Sequence, residues 1–289
     1  MALPVLNTPK FKLKLPSDNR VVNFRPFLVK EEKILLIATE TGEQAELITA
    51  IKNIIKACTD IKDVEHLSTF DIEYVFLQIR TKSVGESVEV NVTCPDDGET
   101  QVPVSIPLDQ IKIHKTKGHK KEIKLSEEIV LTMKYPSLDV FVEMNFQENE
   151  GGVDQVFKMA AGCIESIADT EQVYECKDLP KEELNAFLDQ MTSDQFKKVQ
   201  DFFESMPKLQ HTLKVTNPNT KVESEVKLEG LASFSHSLMH ADLRGYYETN
   251  FALIHHHKWQ IEHIENLLPW EKEIYMNLLI QFLEEEINE

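Results

Sequence analysis

The sequence predicts an α+β protein, with helices and short antiparallel β-hairpins in an N-terminal part and a helix-dominated acidic C-terminal part that contains a second β-hairpin. Apolar residues recur at intervals of three and four in several stretches, which is typical of amphipathic helices. Other stretches alternate apolar and polar residues between turn-forming residues, which is typical of hairpins. We therefore expect two domains, residues 1–135 with the antiparallel hairpins and residues 136–289, mainly helical, with a hairpin near residues 210–229.

The chain opens with the pattern of a hairpin followed by two helices. Residues 11–15 and 21–24 alternate apolar and polar side chains, with turn-forming residues between them. Over residues 29–59 the apolar period becomes helical, and Thr41 and Gly42 are predicted to separate two helices there.

A third helix is predicted to begin at Ser68, because Asp71 three residues later can complete a capping box, and to end near Gly85. Two pairs of strands should follow it. They are predicted from the alternating residues 88–92 with 102–106, and 123–125 with 129–133.

Strand signals stop after Pro136, and residues 137–206 are predicted to be helical. Pro180 suits the first turn of one helix, and Ser193 and Asp194 supply capping side chains for the next.

The C-terminal hairpin is predicted from a faint internal repeat. Residues 213–218 (LKVTNP) resemble residues 90–95 (VNVTCP), and alternating apolar residues follow both. Residues 231–253 and the segment from Pro269 to the end have helical periodicity. In the last segment an apolar stripe is formed by Tyr275, Leu278, Leu279 and Phe282.

The charge is strongly negative and unevenly placed. The net formal charge is −18; residues 1–134 carry 19 basic against 20 acidic side chains, and residues 135–289 carry 12 against 29. Such an acidic half repels phosphate backbones, so we expect no nucleic-acid binding. A basic run within residues 112–124 is predicted to be a solvated strand edge or a contact with an acidic protein partner.

No membrane association, catalysis or cofactor is predicted. The apolar runs are shorter than a bilayer span, and the N-terminus lacks the layout of a secretory signal. The chain lacks the nucleophile elbow, the phosphate loop and the dinucleotide fingerprint. Its four cysteines form no Cys-x-x-Cys pair and are expected to be free, buried thiols.

Histidines are the candidate metal ligands. Adjacent residues 255–257 point about 100° apart on a helix, so at most two of them could share an ion. His236 and His240 have a metal-binding spacing, but no glutamate lies between them. We expect the cluster to pack or to form hydrogen bonds, without a metal. The alternative is a metal-dependent hydrolase that uses residues 255–263.

Large aromatic residues are the candidate partner-binding groups. Trp259 and Trp270 are the only tryptophans, and Phe251 and Tyr275 lie close to them in the sequence. Tryptophan is enriched in interface hot spots, and it is at least as common in cores. The sequence leaves both locations open for these four residues.

Two blocks of sequence carry a resemblance to a known family. One block is residues 246–259 (YYETNFALIHHHKW) with residues 265–275 (ENLLPWEKEIY). The other is residues 70–86 (FDIEYVFLQIRTKSVGE), which runs into residues 92–95 (VTCP). The chain resembles the baseplate hub and hub assembly proteins of T4-like bacteriophages. Lys272 stands where arginine is usual in the Pro-Trp-Glu motif of that family.

The resemblance implies a non-enzymatic protein of a contractile tail that works through contacts with other phage baseplate and hub proteins. It also implies a place in the host cytoplasm during assembly, and in the tail baseplate of the virion if the protein is a permanent subunit. The choice between permanent subunit and transient assembly factor stays open, as does an oligomer within the baseplate.

Overall fold

The computed structural model describes residues 9–138, 140, 153–230 and 242–288. Helices and small antiparallel sheets are present in them, which confirms the predicted α+β class. The helices are α1 (Val29–Glu40), α2 (Gln44–Cys58), α3 (Thr69–Ser83), α4 (Val153–Cys163), α5 (Lys181–Asp189), α6 (Ser193–Ser205), α7 (Leu243–His257), α8 (Ile261–Glu265) and α9 (Pro269–Asn288). The strands are β1 (Phe11–Lys14), β2 (Val21–Phe24), β3 (Ser87–Thr93), β4 (Gln101–Pro107), β5 (Lys112–His114), β6 (Glu122–Lys124), β7 (Val130–Met133), β8 (Ile164–Ala168), β9 (Val173–Glu175), β10 (Lys208–Thr216) and β11 (Glu223–Glu229).

The strands pair in antiparallel fashion. β1 pairs with β2, β3 with β4, and β10 with β11. A four-stranded sheet has the order β6-β7-β8-β9. The alternation that predicted β3 is the alternation of its burial, because Val88, Val90 and Val92 are buried and their neighbours are exposed.

Two compact units make up the chain. Unit 1 consists of residues 1–64, 71–112 and 209–289, and unit 2 consists of residues 65–70 and 113–208. The division at residue 135 expected from the sequence stays a prediction.

In unit 1, side chains at the C-terminal end of α3 form hydrogen bonds to the neighbouring segments. The buried Arg80 guanidinium donates hydrogen bonds to the carbonyls of Gly85 and Ser87, at 2.9 and 3.1 Å. The Ser83 hydroxyl accepts a bond from the Phe27 amide at 2.8 Å. These side chains pair with backbone groups, among them those between α3 and β3. Arg80 and Ser83 belong to the block of residues 70–86 that carries the family resemblance, and their role here is structural.

In unit 1, the turn of the β3–β4 hairpin is hydrogen-bonded to the turn of the similar β10–β11 hairpin, and we call this set of bonds the hairpin clasp. The fully buried Asn217 donates through its amide nitrogen to Asp96, at 3.1 Å, and to Asp97, at 2.8 Å. The Thr220 hydroxyl also bonds to Asp96. The bonds from Thr220 and Asn217 lower the pKa of Asp96, and bonds from Thr100 and Asn217 lower the pKa of Asp97, because they favour the ionised carboxylate. In the internal repeat, Asn217 occupies the position that Cys94 occupies in residues 90–95, and it is a donor in the hairpin clasp.

In unit 2, α4, α5 and α6 pack with the four-stranded sheet around an apolar core. Leu131 and Met133 of β7 and Ile164 of β8 are buried in it with Leu188 and Phe202. Thr192 caps α6, since its hydroxyl accepts from the Gln195 amide at 3.3 Å while the Gln195 side chain accepts from Thr192. The cap is therefore one residue earlier than the sequence predicted.

The sequence prediction missed a pair of strands in unit 2. Residues 137–206 were expected to be helical, yet β8 and β9 lie within them. Ile164 continues the apolar stripe of α4 and also begins β8, so no turn residue marks the change. Asp169 makes the turn between the strands, because its carboxylate accepts from the amides of Glu171 and Gln172.

The structure also bears on the predictions for the cysteines, for the helix over residues 231–253 and for membrane spans. All four cysteines are free and buried, as predicted. The predicted helix over residues 231–253 is observed from Leu243, and residues 231–241 lie outside the described residues. In the portion of the chain that the structure describes, every helix is too short or too polar to span a bilayer.

Candidate protein-binding surface

Four helices of unit 1 share one apolar core. It is formed by Val29 and Leu36 of α1, Tyr246 and Leu253 of α7, Ile264 of α8 and Leu279 of α9. The core uses one face of α7 and one face of α9, so the other faces of these two helices are left for other contacts.

The Pro-Trp-Glu motif starts α9, as predicted. Pro269 occupies the first helical position, where a missing N–H costs no hydrogen bond. The Leu268 amide donates to the Glu271 carboxylate at 2.9 Å, and the helix dipole also favours an acidic residue in this turn. In the helix that starts here, Lys272 is buried and Trp270 is exposed.

Lys272 belongs to a buried charged cluster. Only 8% of its surface is exposed, and its ammonium lies 4.6 Å from the centre of the Tyr246 ring, within range of a cation–π interaction. Glu32 and Arg80 are also buried and interact electrostatically with each other. Burial raises the pKa of Glu32 to about 6, against the attraction of Lys272 and Arg80. Residues from both resembling blocks thus meet in the interior.

An apolar ridge covers the outward face of α9. Trp270, Ile274, Leu278 and Phe282 follow one another at intervals of four and are 39, 49, 55 and 55% exposed. Side chains at this spacing are neighbours on a helix surface. The buried side chains Lys272 and Leu279 lie on the opposite face. We call these four exposed residues the α9 ridge.

The apolar stripe predicted from sequence in this helix is buried only in part. Leu279 is buried, whereas Tyr275, Leu278 and Phe282 are exposed, although their spacing places all four on one side of the helix. The reason is that the apolar residues of α9 extend beyond the face that packs on the core, and helical periodicity does not mark where burial ends.

Helix α7 has a second exposed apolar face. Tyr247, Phe251 and Ile254 are exposed there, and Phe251 has the largest exposed fraction, 68%. Tyr246, Asn250 and Leu253 are buried on the other face. The Lys33 ammonium lies 5.5 Å from the centre of the Tyr247 ring, so α1 contributes a cation at this edge of the surface.

The four aromatic candidates have different environments. Phe251, Trp270 and Tyr275 are exposed, and Trp259 is half-buried. Trp259 and Tyr275 form an edge-to-face pair with ring centres 4.8 Å apart. Ile274 was not singled out from the sequence, although its position four residues after Trp270 was the signal available.

The histidine cluster ends α7. His255, His256 and His257 are exposed, and their rings contact one another or the aromatic rings of Phe251 and Trp259. No group of three metal-ligating side chains occurs among the residues that the structure describes. His236 and His240 lie outside the described residues.

Contiguous exposed apolar side chains are typical of surfaces that associate with another macromolecule. The fold and this surface define the class: an α+β protein with an apolar helical surface available for association.

The chain belongs to the T4 bacteriophage base plate protein family, whose family model matches residues 8–235. It is therefore a structural protein of the phage baseplate, as the resemblance implied. The block at residues 70–95 lies inside the matched range, and α7, α8 and α9 lie beyond it. Comparisons with curated proteins and with solved structures give no match.

Proposed function

We propose that this protein is a non-enzymatic subunit or assembly factor of the baseplate hub, and that it joins other phage baseplate proteins through the exposed apolar faces of α7 and α9. The observation that carries the proposal is the α9 ridge, which lies opposite a face that is already packed. Large apolar side chains that do not serve the core of their own unit are suited to a partner's surface.

The candidate contact residues are Phe251, Trp259, Trp270 and Tyr275, together with the rest of the α9 ridge. Aromatic side chains contribute large contact areas at a low cost in conformational entropy, which makes them frequent hot spots. The contact of Lys272 with Tyr246 and the shared apolar core pack the inner face of α9 on α7 and α1, so the ridge is left on the outer face.

Complementation tests the proposal. Phage that lack the protein are supplied with the wild type, with Phe251→Asp or with Ile280→Asp, and assembled tails are counted by electron microscopy. Ile280 is exposed but lies off the α9 ridge, so Ile280→Asp is the control. We expect Phe251→Asp to reduce the number of tails and Ile280→Asp to support wild-type numbers. Normal assembly with Phe251→Asp would contradict the proposed role of this surface.

Mass spectrometry of purified virions separates the two forms of the proposal. A permanent hub subunit is present in finished tails in a fixed ratio to other baseplate proteins. An assembly factor is present in assembly intermediates and missing from finished tails.

A further inference from the structure

Acidic side chains lie near both ends of the α9 ridge. Glu271 directly follows Trp270, is half-buried and accepts the Leu268 amide, while Glu285 and Glu286 lie beyond Phe282 and are exposed. Glu271 and Glu285 are fourteen residues apart, which corresponds to about 21 Å along a helix. The ridge itself covers about 18 Å.

Helix α9 supplies no exposed cation to balance these acids. Lys272 is its only lysine or arginine, and that side chain is buried against the Tyr246 ring. The outward face therefore presents an apolar centre with a negative charge near each end. A complementary surface has an apolar centre with a positive charge near each end.

We infer that the α9 ridge docks a helical segment of another protein that carries apolar side chains at intervals of three or four and lysine or arginine at both ends. This inference rests on the proposed function and names the chemistry of the partner. Rows of side chains four residues apart pack between the corresponding rows of a facing helix, which accounts for a helical partner.

A second copy of this chain is a poorer occupant of the ridge. In an antiparallel pair, Glu285 and Glu286 of one copy lie opposite Glu271 of the other. In a parallel pair each glutamate faces its own counterpart. Both arrangements place like charges together at the two ends of the apolar contact, which disfavours them.

Synthetic peptides test the inference on the full-length protein. One fluorescein-labelled peptide of about 18 residues has leucines at helical spacing with arginines at both ends, and a second has glutamates in place of the arginines. Fluorescence anisotropy then gives the dissociation constant of each. We expect the arginine-ended peptide to bind at least about tenfold more tightly than the glutamate-ended one.

Three variants locate the binding. Leu278→Asp should weaken binding of the arginine-ended peptide by about tenfold or more, and Ile280→Asp, on another exposed side of α9, should leave it unchanged within about twofold. Glu285→Arg with Glu286→Arg should reduce the preference for arginine ends. Circular dichroism confirms that the variants remain folded.

Several results would overturn the inference. These are equal binding of the two peptides, binding that Leu278→Asp does not change, and self-association in sedimentation that Leu278→Asp abolishes. The last result would identify a second copy as the occupant.

Phage assembly separates this inference from the proposed function. If Leu278→Asp stops assembly while neither peptide binds, the surface functions in the baseplate and the partner chemistry is wrong. If the arginine-ended peptide binds as expected while Leu278→Asp phage assemble normally, the chemistry of the ridge is right and its proposed role in the baseplate is wrong.

Discussion

At the scale of single residues, the buried cluster of Glu32, Arg80 and Lys272 places three ionisable groups inside unit 1. Burial lowers the pKa of Arg80 to about 10 and lowers the pKa of Lys272, and the carboxylate of Glu32 opposes both changes. Desolvation thus outweighs attraction at each member. Such a buried cluster is therefore weak evidence for added stability.

The first prediction concerns the pH dependence of Glu32. Its pKa of about 6 in the folded protein lies above the ordinary value of 4.5, so the folded state binds more protons between these values. Its contribution to the free energy of unfolding is fully present below about pH 4.5 and is lost as the pH rises through about 6. Relative to Glu32→Gln, the wild type should gain up to about 2 kcal/mol between about pH 7 and about pH 4. Urea denaturation across this range measures the difference, and parallel curves would contradict the assignment.

The second prediction compares Trp270 with Leu279, which lie on opposite faces of α9. Leu279 is 2% exposed, and Leu279→Ala should destabilise the protein by about 2–5 kcal/mol. Trp270 is 39% exposed, and Trp270→Ala should cost less than about 2 kcal/mol. Urea denaturation of both variants measures this. Equal costs would show that the Trp270 ring serves the core rather than a partner.

At the scale of elements, the hairpin clasp yields a third prediction. Asn217→Ala removes the fully buried amide that donates to Asp96 and Asp97, and should cost about 1–3 kcal/mol because hydrogen bonds to charged carboxylates are lost. Asn219→Ala is the matched control. That side chain is exposed and donates to the Thr100 hydroxyl, so its removal should cost less than about 0.5 kcal/mol. Thermal unfolding distinguishes the two variants.

The sequence predicted elements well where local chemistry marks their ends. Pro269 starts α9, and the Thr41-Gly42 pair separates α1 from α2 because Gly42 adopts a φ of +72°, which favours glycine. β8 was not predicted because it follows α4 directly, with no turn-forming residue between them. Whether a strand forms there depends on β7, to which β8 pairs across a distant part of the sequence.

The candidate surface could be predicted only in part. The sequence singled out Phe251, Trp270 and Tyr275, and all three are exposed. It could not separate Leu278 from Leu279, since both are leucines in a helix whose apolar residues extend beyond its packed face. Only packing against α7 and α1 decides which of the two meets solvent.

At the scale of the whole molecule, we expect charge to govern how fast the protein meets its partners, and this gives the last prediction. Residues 135–289 carry 12 basic and 29 acidic side chains, a net of −17. A field of this strength accelerates encounter with a basic surface, and salt screens it over about 10 Å at 0.1 M ionic strength. We expect the association rate with purified baseplate intermediates to fall steeply between about 0.05 and 0.5 M salt. The dissociation rate should change much less if, as we propose, apolar contacts of the α9 ridge hold the partner.

Surface plasmon resonance measures both rates. Glu285→Gln with Glu286→Gln removes two charges beside the ridge and leaves its apolar side chains in place. This variant should bind more slowly at low salt and match the wild type at high salt, where the remaining attraction is screened. An association rate that is flat across the salt series in the wild type would rule out electrostatic steering. In that case the apolar faces of α7 and α9 would have to find their partner by unassisted diffusion.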